Sequence, residues 1–299
     1  MTVDPPQPDD RGSGLRGWRR PAPESWLQGS AAALALTFDL DAESAILTRS
    51  PQAVKDLSTM SHQAYGPQVG LPRILTLLAE TATPATFFVP GDSARRWPDA
   101  VESILTAGHE VALHSDRHKP LVAMTEIEQR EDLYANLQAL RAFGVQPVGY
   151  RAPNWQLTET TLSLLIEAGL SYDSSLMDDD RPYLIDHPDG QITELPVHWS
   201  LDDWEQYAFL PEPNIGQNIE TPAKALQLWS GELNAMRTTH SLCNITLHPF
   251  LSGRPSRLKA VADLIHIANQ HGDVEIVRCD TLADRIAHPR SEIAPKSTS

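Results

Sequence analysis

Short apolar runs alternate with longer amphipathic stretches along most of this chain. The apolar runs lie at residues 32–38, 86–89, 110–114, 148–151, 194–199, 245–248 and 274–279. Between them, apolar residues recur at helical spacing. Strands that alternate with helices favour a parallel sheet covered by helices, and this number of repeats favours closure. The pattern therefore predicts a closed or nearly closed (β/α) barrel of about seven strands.

The helical stretches carry start and stop signals. Thr125 is followed three residues later by Glu128, which is a capping-box pattern, and Gly144 closes that stretch. Glycines follow other helical runs in the same way, at Gly108, Gly169 and Gly272. These signals support helices between the predicted strands.

The repeats indicate a single domain. No Gly/Ser-rich linker interrupts residues 29–287, whereas residues 1–28 are rich in Pro, Asp and Gly and residues 288–299 are polar. We therefore predict one barrel domain over residues 29–287, flanked by disordered tails at 1–28 and 288–299. The longest insertion between repeats, residues 47–70, is a candidate pocket or interface loop.

Charge and composition narrow the class of partner. The chain has 24 Lys and Arg against 39 Asp and Glu, a net charge of −15. Nucleic acids and anionic membranes need a basic surface, so neither is an expected partner. No apolar run reaches the length of a membrane span, and prolines and Glu24 follow Arg19-Arg20 where an export signal would be apolar. We expect a cytoplasmic protein.

The two cysteines, Cys243 and Cys279, are too few for a disulfide framework. Each lies in an apolar, strand-like run, which favours a small buried side chain over a redox role.

Ionisable side chains follow the predicted strands at their carboxyl ends. They are Asp39 and Asp41, His114 and His118, Arg151, Asp202 and Asp203, and His248. In a barrel all of these ends face the same mouth, where such folds carry their active sites. We therefore expect these groups to form one site.

His114 and His118 are four residues apart, so one turn of chain brings both imidazoles to one side. Two imidazoles with one carboxylate suit Zn²⁺ or another borderline divalent ion, and three protein ligands leave a position open for water. A solvated loop is the alternative. The Asp-x-Asp pair at a neighbouring strand end favours the metal.

Asp39 and Asp41 are two residues apart, so both point the same way on a regular strand. Mutual repulsion raises the pKa of one carboxylate unless a cation neutralises it. The two carboxylates can therefore have different roles, one as a metal ligand and the other acting on the attacking water. The alternative is an Asp pair that caps the next turn.

Five segments in order, TFDLDAES, HSDRH, YRAPNW, LDDW and LHP, resemble the motifs of the polysaccharide deacetylases, the NodB-homology or carbohydrate esterase family 4 enzymes. The resemblance covers roughly residues 30–285. It implies a deformed (β/α) barrel that hydrolyses N-acetyl amides with a divalent metal. By this resemblance the metal ligands are Asp41, His114 and His118.

The same resemblance implies the remaining roles. Asp39 would be the general base and Arg151 would orient it. His248 would be the general acid, tuned by Asp203, with Trp204 packed beside it.

The sequence also departs from the family's commonest motifs. Leu40 separates the two aspartates of the first motif, and Asn154 is inserted before the aromatic residue of the third. The fourth lacks an Asp at the position of Ser200. These variations look more like a peptidoglycan deacetylase-like subgroup, similar to allantoinases and cyclic imide hydrolases, whose members are often homo-oligomers.

Three functions are consistent with these observations. The leading one is a metal-dependent N-deacetylase of an N-acetylated sugar or related amide. The others are hydrolysis of a small cyclic imide or ureide, and a non-catalytic binding protein. The metal would be Zn, with Co, Ni or Mn as other candidates. The partner would be a small-molecule or oligosaccharide substrate, and its candidate contacts are Glu43, Trp155, Asp180 and Trp204.

Overall fold

The computed structural model describes residues 15–217 and 219–289. These residues contain ten β-strands in one sheet. The strands are β1 (Arg19–Pro21), β2 (Ala32–Asp39), β3 (Thr86–Val89), β4 (Glu110–Leu113), β5 (Gly149–Tyr150), β6 (Tyr172–Asp173), β7 (Tyr183–His187), β8 (Gly190–Glu194), β9 (Leu242–Leu247) and β10 (Val274–Ile276).

Thirteen α-helices accompany these strands in the described part of the chain. They are α1 (Leu15–Trp18), α2 (Ser44–Arg49), α3 (Leu57–Tyr65), α4 (Leu71–Glu80), α5 (Gly91–Arg96), α6 (Pro98–Thr106), α7 (Glu126–Arg141), α8 (Glu159–Glu167), α9 (Trp204–Tyr207), α10 (Pro222–Thr239), α11 (Pro249–Ser252), α12 (Pro255–His271) and α13 (Cys279–Ala287). None of these described helices combines the length and apolarity needed to cross a membrane.

Seven parallel strands form the barrel wall in the order β9-β2-β3-β4-β5-β6-β8. An isolated bridge between Asp202 and Thr246 brings the segment after β8 back beside β9. The sheet thus curls almost into a closed barrel, which confirms the predicted architecture of about seven strands, although β6 was not predicted and the run 194–199 overlaps β8 only at Glu194.

Three further strands extend the sheet beyond this wall, and of these only β10 was predicted, within the run 274–279. β7 and β1 extend the sheet antiparallel beyond β8, and β10 pairs with the first residues of β2. β7 and β8 form a hairpin joined by the two-residue turn Pro188-Asp189, and Gly190 is the first residue of β8. β1 and β7 were not predicted, because β1 contains two arginines and Asp186 interrupts the apolar residues of β7.

Alternation along β2 places the functional side chains inside the barrel. Leu34, Leu36 and Phe38 pack outward in the cluster formed with the helices, whereas Ala33 and Ala35 belong to a second cluster. Because side chains alternate between the two faces of a strand, Asp39 shares the inner face with these small alanines. Small residues there leave room for the larger polar groups of neighbouring strands.

The predicted disordered tail over residues 1–28 is wrong for residues 15–28. β1 pairs with β7, and the adjacent Trp26 and Leu27 are only 4% and 5% exposed. Burial of these two apolar side chains and pairing with an otherwise open strand edge stabilise the segment. Residues 1–14 and most of the predicted tail at 288–299 lie outside the described residues.

Candidate metal centre and active site

The carboxyl ends of the barrel strands surround a cavity of about 170 Å³. Seven of the residues that line it belong to the site predicted from the sequence: Asp39, Asp41, His114, His118, Trp155, Trp204 and His248. Barrel geometry thus collects residues that are more than 200 positions apart in the chain.

Asp41 lies between two imidazoles at the mouth of the barrel. His114 Nε2 is 3.4 Å from Asp41 Oδ1, and His118 Nε2 is 3.4 Å from Asp41 Oδ2. All three residues are buried, and neither Asp41 oxygen accepts a hydrogen bond from the described residues. Burial raises the pKa of Asp41. A buried, unsatisfied carboxylate facing two imidazoles fits a divalent cation, whose charge would compensate for the lost solvation.

The two histidines are prepared to act as neutral ligands. His114 Nδ1 is 2.8 Å from the carbonyl oxygen of Arg151, which leaves Nε2 directed at Asp41. Burial lowers the pKa of His114 and lowers that of His118 to about 4. Metal binding requires unprotonated imidazole, and a second hydrogen bond fixes the ring orientation.

Asp39 forms a buried ion pair with Arg151. Arg151 Nη1 donates to Asp39 Oδ1 at 2.8 Å, and the Arg151 side chain is fully buried. Thr37 Oγ1 and Ser174 Oγ also accept from the guanidinium, which stacks 4.0 Å above the ring of Phe88. Burial opposes ionisation, but Arg151 and the nearby histidines outweigh it and lower the pKa of Asp39. Asp39 is therefore an ionised carboxylate with a fixed orientation.

His248 and Asp203 form a second buried pair opposite Asp39. His248 Nδ1 lies 2.7 Å from Asp203 Oδ1, and the His248 backbone N–H donates to both Asp203 oxygens. Burial would lower the pKa of His248, but the hydrogen bond and charge of Asp203 raise it to about 10. His248 is thus a charged imidazolium whose Nε2 is free to face the cavity. Trp204 contacts it edge-on, with ring centroids 5.1 Å apart.

Two predicted substrate contacts lie elsewhere. Glu43 does not line the cavity, because its carboxylate accepts a hydrogen bond from Trp97 Nε1 at 2.8 Å and is buried there. Asp180 is exposed, and its carbonyl oxygen accepts from Leu242 N at the start of β9. His248 follows the opposite end of that strand, so Asp180 lies away from the site. Trp155 and Trp204 do line the cavity.

Five further residues line the cavity, and no role was predicted for any of them, although Asp202 was expected at the mouth. Asp202 is buried against His248 Nδ1 at 3.7 Å, and burial raises its pKa to about 8. The remaining ones are Arg49, Asn154, Trp199 and Glu205. Asp202 lies inside the fourth motif and Glu205 directly follows it, so proximity to that motif was a usable signal. Arg49 lies in the irregular insertion after β2, and no pattern in the sequence singles it out.

Comparisons with known proteins agree with this geometry. The family model for polysaccharide deacetylase matches residues 64–172. A solved structure from Mycobacterium smegmatis, assigned to the polysaccharide deacetylases, is 46% identical with a TM-score of 0.87, over 93% of this chain and 99% of that one. The peptidoglycan deacetylase of Helicobacter pylori is 28% identical over 252 residues, which cover 75% of this chain and 86% of that protein.

The structure of Puue allantoinase shares the fold, with a TM-score of 0.77 and 24% identity over 97% of this chain and 100% of that chain. The chain belongs to the polysaccharide deacetylase family. The resemblance seen in the five motifs is thereby confirmed. The protein is a hydrolase of carbon–nitrogen bonds other than peptide bonds, as predicted.

Proposed function

We propose that this protein is a divalent-metal-dependent N-deacetylase that acts on an N-acetylated sugar or a related small amide. The observation that carries the proposal is the state of Asp41, a buried carboxylate flanked by two imidazoles and satisfied by no described donor. Leaving such a charge uncompensated would be costly, and a cation removes the cost. Family membership supports the reaction class.

Asp41, His114 and His118 would hold the metal, since one ligand atom from each lies within 4.8 Å of the others. We propose Zn²⁺, because two imidazoles and a carboxylate suit it, with Co, Ni or Mn as other outcomes of metal analysis. A divalent ion held there supplies a Lewis acid for the amide carbonyl and the attacking water.

Asp39 accepts the proton from the attacking water. Its pKa is lowered, so it is ionised at neutral pH, and its 2.8 Å bond to Arg151 fixes the direction of its carboxylate. The second Asp39 oxygen lies 3.6 Å from His114 Nε2, beside the metal ligands. A base in that position can act on water next to the cation.

His248 donates a proton to the departing nitrogen. An amide nitrogen is a poor leaving group, so an acid is needed as the carbon–nitrogen bond breaks. Asp203 holds the imidazole in its charged form, and His248 Nε2 lies 3.8 Å from Asp41 Oδ2. The pair Asp39 and His248 thus supplies base and acid.

The test combines metal analysis with a turnover assay. We expect metal-loaded protein to release acetate from N-acetylated compounds, and Asp41→Asn and His118→Ala to lose both metal and turnover. Asp186→Asn is the matched control, because Asp186 is a surface residue paired with Arg20. Full turnover by metal-free Asp41→Asn would overturn the metal assignment.

A second candidate function is hydrolysis of a small cyclic imide or ureide. The cavity of about 170 Å³ favours it, because pockets for drug-sized ligands are larger, at roughly 300–1,000 Å³. The same base and acid would serve, since both reactions begin with water attacking an amide carbonyl. Acetylated chito-oligomers, simple N-acetyl metabolites and cyclic imides should be assayed in parallel. Turnover confined to imides would replace the leading proposal.

The homo-oligomeric state, the cytoplasmic location and the absence of nucleic-acid and membrane partners stay predictions. Light scattering of the purified protein tests the first, and cell fractionation tests the second.

A further inference from the structure

Arg49 is the one guanidinium or ammonium group among the described residues that line the cavity. It is the last residue of α2 and is exposed to solvent. Four carboxylates line the same cavity, namely Asp39, Asp41, Asp202 and Glu205. No carboxylate of the described residues lies within 4.0 Å of Arg49. Arg49 is therefore a cation at the mouth that the protein itself does not neutralise by direct pairing.

Asn154 holds this guanidinium. Arg49 Nη2 donates to Asn154 Oδ1 at 3.3 Å. Asn154 is the residue inserted into the third motif, and its φ of 52° places it in the left-handed region. With Oδ1 accepting from Arg49, the amide has its two Nδ2 hydrogens left to donate. Arg49, in the insertion after β2, and Asn154, in the third motif, thus bring several donors together at the mouth.

The group lies close to the reaction centre. Arg49 and Asp41 line the same cavity. The Arg49 guanidinium carbon is 5.9 Å from the centre of the Trp204 ring. Trp155 and Trp199 pack together with ring centroids 4.4 Å apart in the same cavity. A small ligand can therefore reach the donors and the metal centre while its carbon atoms contact the aromatic rings.

We propose that Arg49 and Asn154 form a subsite for a carboxylate carried by the substrate, so that the preferred substrates are small N-acyl compounds with an acidic group. This inference rests on the proposed function, because the carboxylate belongs to the same substrate molecule whose amide bond is hydrolysed. A planar guanidinium matches a carboxylate with two parallel hydrogen bonds, and the amide adds a further donor.

Arg49 has an ordinary structural alternative, which is to stabilise the carboxyl end of α2 through the helix dipole. Arg141 allows the two roles to be separated. It is likewise the exposed last residue of a helix, α7, but it does not line the cavity. A purely structural role predicts the same behaviour for both arginines.

The experiment uses matched substrates that differ in one carboxylate. N-acetylmuramic acid is compared with its carboxamide, and an N-acetylamino acid with its carboxamide. The sugar pair tests a carboxylate carried by an N-acetylated sugar, and the amino-acid pair tests one carried by an N-acetylamino acid. For each pair, kcat/KM of the acid is divided by that of the neutral partner, in the wild type, Arg49→Gln and Arg141→Gln.

We expect the wild type to prefer the acid in at least one pair. In Arg49→Gln the ratio should fall by about 10- to 100-fold, the size expected for one hydrogen-bonded charge. Arg141→Gln should keep the wild-type ratio. Equal use of acid and neutral partner by the wild type, or an unchanged ratio in Arg49→Gln, would overturn the subsite.

A failure of the proposed function gives a different result, namely no hydrolysis of any compound by metal-loaded protein. The subsite is then judged by calorimetry of the same acids with metal-free protein. The subsite is supported if the wild type binds the acids more tightly than their neutral partners and Arg49→Gln loses this preference. Equal binding by wild type and Arg49→Gln, or none by either, overturns it.

Discussion

Several residues around the cavity have an unusual backbone conformation. Among the described residues, eight other than glycine have positive φ, and five of these follow barrel strands at the mouth: Ala42, Ser115, His118, Asn154 and Trp155. Their φ values lie between 47° and 62°, where an L-residue costs roughly 1–2 kcal/mol. Such strain persists only where the surrounding structure holds it, and it is typical of functional sites. Here it turns side chains such as His118 toward the metal centre.

Asp203→Asn tests the acid at the residue scale. The asparagine keeps the shape but removes the negative charge that holds His248 protonated. We expect kcat to fall by about 10²- to 10⁴-fold, the usual contribution of a general acid, while metal content stays at the wild-type level. Steady-state kinetics with metal analysis measures both. A wild-type kcat would remove His248 from the acid role.

At the scale of elements, close backbone contact fixes the helix that follows His248. A Cβ on Gly70 would lie 2.1 Å from the carbonyl oxygen of Pro249, and a Cβ on Gly253 would lie 2.3 Å from the Cα of Gly70. Only glycine permits this approach between the start of α4 and the end of α11. The position of His248, just before α11, depends on it.

Gly70→Ala should therefore lower both stability and activity. Because the clash is with backbone, we expect a loss of about 1–3 kcal/mol in the free energy of unfolding and a reduced kcat. Gly231→Ala is the control, since Gly231 lies inside α10 with nothing within 4 Å of its Cβ position. It should gain about 0.5–1 kcal/mol. Urea unfolding of both variants gives the comparison, and equal effects would contradict the contact argument.

Glu110, the first residue of β4, connects the sheet to α13. Its buried carboxylate accepts hydrogen bonds from Asp280 N, Thr86 Oγ1 and Tyr172 OH. Burial outweighs these donors and raises the pKa of Glu110 to about 7. The charged form is therefore disfavoured in the folded protein, although its donors place it at the amino end of the helix.

Glu110→Gln should change how stability depends on pH. With the folded pKa above the unfolded one, wild-type Glu110 lowers stability above about pH 7, and this loss disappears as the pH falls toward 4.5. The glutamine stays neutral. We compare the free energy of unfolding of the variant with that of the wild type at each pH. The difference should favour the variant by about 1–3 kcal/mol more at pH 8 than at pH 5. Urea unfolding at both pH values measures it, and a pH-independent difference would contradict the raised pKa.

At the scale of the whole molecule, the amino-terminal segment completes the sheet. β1 covers the outer edge of β7, and Trp26 is buried in the cluster that also contains Ala33 and Phe88. The segment thus contributes to the core although it precedes the first strand of the barrel.

Trp26→Ala should cost about 3–5 kcal/mol of unfolding free energy, because it leaves a cavity in a packed cluster. Trp26→Phe, which keeps most of the apolar volume, should cost less. Thermal or urea unfolding measures the stabilities of the wild type, Trp26→Phe and Trp26→Ala, which should fall in that order. A wild-type stability for Trp26→Ala would mean that the segment does not pack as described.

The sequence predicted much of the fold because its signals are local. The capping box at Thr125 and Glu128 is present at the start of α7, with Glu128 N donating to Thr125 Oγ1. The apolar runs marked the wall strands β2, β3, β4, β5 and β9 for the same reason, since buried strands must be apolar, whereas β6 is only two residues long. β7 and β8 were missed because polar residues such as Asp186 and Gln191 leave neither strand with a continuous apolar run.

What the sequence by itself determined is the set of chemical groups, Asp39, Asp41, His114, His118 and His248, and their placement after strands. Their types and spacing follow from the needs of metal and acid–base chemistry, which local sequence records. Only the tertiary structure decided which groups meet. Closure of the barrel and left-handed turns after its strands brought Arg49 to the cavity and left Glu43 and Asp180 outside it. Contacts between residues far apart in the chain depend on packing, and local patterns do not encode them.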